Sequence, residues 1–148
     1  MTGLRSMAAG LGGAVALALA AGTVWAQPVQ VPEMPMDRAV NLGGVEAACT
    51  GIGADARDDP QWLAYPVRVE VSNARNEYLT GAVISVADER GRPVLEANCG
   101  GPWLLLKLAP GRYRVMARLP GTGAKPRSAV VTPPAKGQMR VVLQFLDQ

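Results

Sequence analysis

Cys49 and Cys99 are the only two cysteines in this 148-residue sequence. An even count suits one disulfide if the chain matures where thiols oxidise. Two free buried thiols are the alternative, because pairing needs a close approach of the two backbones. A metal site is not expected, since no His and no further Cys completes a soft ligand set. The lack of His also removes His general bases and the Ser-His and Cys-His nucleophile pairs. No catalytic residue is therefore assigned, no cofactor is expected, and the chain is not expected to be an enzyme. Asp55, Asp58 and Asp59 lie close together but without the ligand spacing of an EF-hand calcium loop. Capping of a helical turn is the role expected of them.

The remaining chemistry is that of recognition. Arg112, Arg114 and Arg118 fall on one face if their segment is a strand, where they can meet an anionic glycan or an acidic partner surface. A solvated outer face is the plainer account of the same residues. Trp62 and Trp103 can form an aromatic surface for sugars or peptides, or fill the core. These five residues are the candidate interaction surface. Nucleic acid is not an expected partner: the chain carries 15 Lys and Arg against 12 Asp and Glu. Loss of Arg5 with a leader would leave an excess of only two.

Arg5 precedes an uncharged run of Ala, Gly, Leu and Val from Met7 to Val24 that closes on Val24-Trp25-Ala26. This is the pattern of a cleavable signal peptide over residues 1–26. A membrane anchor is the alternative, although Ala and Gly make a weakly hydrophobic span. Position 27 is Gln, so no lipoprotein anchor is indicated, and no second apolar run of spanning length follows. The mature chain is expected to begin at Gln27, to have no membrane span, and to work in the periplasm or outside the cell. Residues 27–44 are rich in Pro and Gly without periodicity and are expected to be a flexible arm.

Residues 45–148 are expected to fold as one domain. Seventeen Gly and twelve Pro favour short strands joined by tight turns. A helical turn is expected over residues 58–64, with Pro60 near its start. From Pro66 the period becomes two. Strands are expected over residues 67–72, 82–88, 93–98, 103–108, 112–119, 128–132 and 138–146. Val67, Val69 and Val71 form the inner face of the first. Asp88-Glu89-Arg90-Gly91 is a hairpin signal, and Trp103 to Leu108 is apolar enough to be buried on both sides. The expectation is an all-β sandwich of about seven strands, immunoglobulin-like in size.

The stretch Leu108-Ala109-Pro110-Gly111-Arg112-Tyr113-Arg114-Val115 resembles the L-x-P-G-x-Y-x-V core of carboxypeptidase regulatory-like domains. Glu77 to Val86, followed by Asp88 and Gly91, resembles the strand-hairpin unit of small exported bacterial proteins built from that domain. The resemblance spans about residues 45–146 and implies a transthyretin-like, immunoglobulin-like sandwich. Tyr113 is expected to bury its ring and to place its hydroxyl on a backbone partner, as in a tyrosine corner. The transthyretin-like fold also includes hydroxyisourate hydrolases, which rely on His and on a C-terminal Tyr-Arg-Gly-Ser element. This chain has no His and ends Phe145-Leu146-Asp147-Gln148. The function expected is an exported, non-enzymatic binding or accessory module of the cell envelope, acting on an unknown protein or glycan. A purely structural envelope protein is the second reading. Edge strands leave dimerisation open.

Overall fold

The computed structural model describes Gly3, Gly10, Ala26, Gln27 and residues 30–148, so the expected signal peptide lies almost wholly outside the described residues. Strands β1 (Arg38–Leu42), β2 (Val45–Thr50), β3 (Val67–Asn73), β4 (Ala82–Asp88), β5 (Pro93–Cys99), β6 (Trp103–Leu106), β7 (Tyr113–Arg118), β8 (Arg127–Val131) and β9 (Met139–Phe145) build two sheets. One has the order β1-β2-β6-β3-β9 and the other β5-β4-β7-β8. β9 joins β3 in parallel, and every other pairing between neighbouring strands is antiparallel. The chain is thus an all-β sandwich. Among the described residues no helix is long and apolar enough to cross a membrane.

The core lies between the sheets, where alternate residues of each strand point inward. Val67, Val69, Val71, Leu104, Leu106, Leu143 and Phe145 of one sheet meet Ile84, Val86, Ala97, Val115, Ala117 and Val131 of the other. The seven expected strands are all present, with bounds within one or two residues. Gly91 takes φ 78°, and the Asp88 carboxylate accepts from the Arg90 and Arg92 amides at 2.9 and 3.0 Å. These bonds close the loop between β4 and β5 and hold the Asp88 carboxyl below the ordinary range, with the Arg92 amide as the main cause.

Two strands were not expected. Residues 38–42 belong to the stretch read as a flexible arm, yet they pair along their full length with β2. The turn between them, Gly43-Gly44, has φ 58° and 89°, the paired positive values of a two-residue hairpin. The segment before β1 is packed as well. The Met34 amide donates to the Asn98 carbonyl at 2.8 Å, and the Met34 side chain is only 6% exposed within the core. Residues 31–36 therefore cover the edge of β5. The Pro residues mask this in the sequence, because Pro suits a sheet edge while removing the donors of a regular ladder.

Cys49 on β2 and Cys99 on β5 form a disulfide that ties the two sheets together, with Cα atoms 5.5 Å apart and both residues in the core. Gly101 follows closely: a Cβ there would strike the Thr50 carbonyl and Met36, so only glycine lets the chain pass beside the end of β2.

The five-stranded sheet is covered on its outer face too. α1 (Ala54–Asp58) and a 3₁₀ helix at Pro60–Ala64 lie over it, the latter capped by Asp59, whose carboxylate accepts from the Gln61 amide at 3.0 Å. Trp62 and Tyr65 pack there with Ala48 and Leu105. The Tyr65 hydroxyl donates to Glu46 at 2.9 Å, and burial followed by this bond pushes its pKa up to about 12. β3 is also not the half-buried strand its alternation suggests: Glu70, held by Arg68 and Arg140, and Ser72, bridged by Tyr78, are buried as well.

Candidate functional site

The outer face of the four-stranded sheet carries no such cover. Along β7, Val115 and Ala117 point into the core, while Arg114, Met116 and Arg118 point to solvent. Register decides what surrounds each arginine. Arg114 lies opposite Ala87 of β4 and Val130 of β8, and Tyr113 lies opposite Asp88. The β4–β5 loop is thereby set beside the start of β7. Arg90 from that loop, Arg112 and Arg114 line one open cleft of about 570 Å³, together with Glu89, Tyr113 and Val130.

None of these three guanidinium groups makes an ion pair within 4.0 Å among the described residues. Asp88, the other acid of the cleft, is already bound to Arg92 at 2.9 Å. Only Glu89 offsets the three positive charges. Such a concentration of guanidinium donors in a concavity suits carboxylate, sulfate or phosphate oxygens, which Arg can grip through two parallel hydrogen bonds.

Arg118 belongs to different surroundings. It is four residues beyond Arg114, roughly 13 Å along an extended strand. It pairs with Glu96 across β4 at 3.0 Å. The arginine trio read from the sequence is thus divided: Arg112 and Arg114 share a cleft with Arg90, and Arg118 is neutralised elsewhere. The sequence alone does not single out Arg90, because its approach to Arg112 depends on the pairing of β4 with β7. The hairpin signal around it was the available hint.

Tyr113 shapes the floor of the cleft. Its hydroxyl donates to the Ala109 carbonyl at 2.8 Å, straddling the Pro110-Gly111 turn. Its ring is half-buried rather than fully enclosed. The bond fixes the turn that presents Arg112.

The two tryptophans do not form an aromatic surface. Trp62 is 3% exposed, and its indole Nε1 donates to the Ala56 carbonyl at 2.8 Å. Trp103 is 5% exposed beneath the Arg68 guanidinium, which lies 4.3 Å from the ring centroid. Both cover the outer face of the five-stranded sheet, remote in the fold from the arginine cleft, because a sheet with helices laid on its second face needs large side chains to fill the gap. No group of three or more Cys, Asp or Glu residues is placed to hold a metal ion among the described residues. Searches against protein-family models and against curated proteins find no match to this chain.

Proposed function

We propose that this chain is an exported, non-enzymatic binding module of the cell envelope and that it takes anionic groups in the cleft of Arg90, Arg112 and Arg114. The observation that carries the reading is the convergence of three unpaired arginines in one cleft of about 570 Å³ on an otherwise uncovered sheet. The ligand chemistry is that of a uronic-acid or sulfated glycan, or of an acidic protein surface. Export is supported by the leader-like residues 1–26 and by a buried disulfide, which persists in oxidising compartments. Kinship with carboxypeptidase regulatory-like domains is part of the proposal. Its support is the Leu-Ala-Pro-Gly-Arg-Tyr stretch, in which the tyrosine hydroxyl closes the turn as in a tyrosine corner.

Isothermal titration at low and at physiological salt tests the site, with oligogalacturonate and a poly-glutamate peptide as the two probes. Binding should weaken with salt and vanish when Arg90, Arg112 and Arg114 are all changed to Ala, while Arg118→Ala leaves it intact. Equal binding by the triple variant would remove the cleft from consideration, and absence of binding by either probe at low salt would refute the anionic ligand. N-terminal sequencing of the protein recovered from the envelope should begin at Gln27.

A further inference from the structure

A second concavity lies on the opposite sheet, at the outer face where β3 and β9 run in parallel. Glu70, Ser72, Tyr78, Arg140, Val142 and Gln144 line a pocket of about 330 Å³. Register sets Glu70 beside Val142 and Ser72 beside Gln144. Tyr78 is brought over them because the chain after β3 folds back: the Leu79 amide donates to the Val71 carbonyl at 3.0 Å, and Tyr78 bridges to Ser72.

The two charged residues that line this pocket, Glu70 and Arg140, are paired with each other. The Glu70 carboxylate, 1% exposed, has Arg140 Nη2 2.7 Å from Oε2 and Arg68 Nε 2.9 Å from Oε1. The Arg68 contact is off-line for a hydrogen bond and acts through charge. The pocket itself is lined by one carboxylate and one guanidinium, so an incoming anion would meet Glu70 at the floor and an incoming cation would meet Arg140. Hydrogen bonding, by contrast, is incomplete. The Ser72 hydroxyl is buried and has no partner among the described residues. Gln144 donates from Nε2 to the Asn73 carbonyl and to Asn76 Oδ1, both at 3.0 Å, while its own carbonyl oxygen accepts no bond there. Buried hydroxyls are ordinarily paired, so this one calls for a partner. Beside these polar atoms the Tyr78 ring is 40% exposed and Val142 39% exposed, forming an apolar wall. The edge of Tyr78 is steadied against Trp103, ring centroids 6.1 Å apart.

We infer that this pocket binds one neutral sugar residue of a glycan. A pyranose offers hydroxyls that donate and accept at once, matching Ser72, Gln144 and the outer edge of Arg140. Its C–H face suits the Tyr78 ring, and its neutrality suits a pocket whose two lining charges are already paired with each other. This site is separate from the arginine cleft and from the anionic ligand proposed for it.

Amide chemical-shift titration of the purified protein with methyl α-glucoside, methyl β-galactoside and N-acetylglucosamine tests the inference. At least one sugar should give saturable shifts, with millimolar affinity, at Ser72, Asn73, Tyr78 and Gln144. Ser72→Ala and Tyr78→Ala should each weaken binding, the latter by about tenfold. The Arg90/Arg112/Arg114 triple Ala variant should bind sugar normally, so failure of the cleft and failure of this pocket are distinguishable. The inference is overturned if none of the three sugars shifts these amides saturably in the wild-type protein, or if sodium acetate moves them with equal affinity. Shifts confined to Arg112 and Arg114 would overturn it as well.

Discussion

Replacing both Cys49 and Cys99 with Ala removes the disulfide that cross-links the two sheets. The two residues are 50 apart in sequence. Closing a loop of that length lowers the entropy of the unfolded chain enough to stabilise the fold by about 4 kcal/mol in the chain-entropy relation. That is a large part of the 5–15 kcal/mol typical of a whole domain. With about 2 cal/mol/K of unfolding entropy for each residue of the described 30–148 segment, the same free energy corresponds to a fall in melting temperature of roughly 15 °C. Urea denaturation of wild type and the double variant, followed by tryptophan fluorescence, measures the difference. The strands themselves should persist, since Val67, Leu104 and Phe145 make the core without either sulfur. A loss below about 1 kcal/mol would refute the reasoning, because it would mean that the unfolded chain is not appreciably constrained by the link.

Other predictions follow from single contacts. Tyr113→Phe deletes the hydroxyl bond to Ala109 and should cost about 1 kcal/mol in denaturant titration; a neutral result would deny the turn its closing bond. Met34→Ala should destabilise by about 2 kcal/mol because the side chain is buried in the core, whereas a truly free arm would show no change. Asp88 has its carboxyl pKa lowered on folding, so its contribution to stability is full above the ordinary value near 3.8 and is lost as pH falls through the lowered one. Asp88→Asn should accordingly be less stable than wild type at neutral pH, and the gap should close in acid below about pH 4. A gap that stays constant down to pH 2 would contradict that assignment.

The positions of the seven later strands were legible from residue order because their patterns are local. Alternation in Val67 to Ser72 and in Tyr113 to Arg118, and the Gly91 and Pro110-Gly111 turns, each state a backbone preference within a few residues. β1 and β2 were missed for an equally local reason. Arg38-Ala39-Val40-Asn41-Leu42 is a mostly exposed edge, and Ala47 and Ala48 are small residues buried on opposite faces, so neither strand alternates clearly. Gly43-Gly44 was the signal that could have found them, as a two-residue hairpin turn between short segments.

What the residues determined by themselves was therefore the class of the fold, its turns, the pair of cysteines available for linking and the absence of His chemistry. Tertiary structure alone decided which side chains meet. The pairing of β4 with β7 brought Arg90 to Arg112 and Arg114, and the covering of the second sheet face turned Trp62, Trp103 and Glu70 inward. Alternation tells that a strand has two faces, but only the neighbouring layers determine whether the second face meets water or protein.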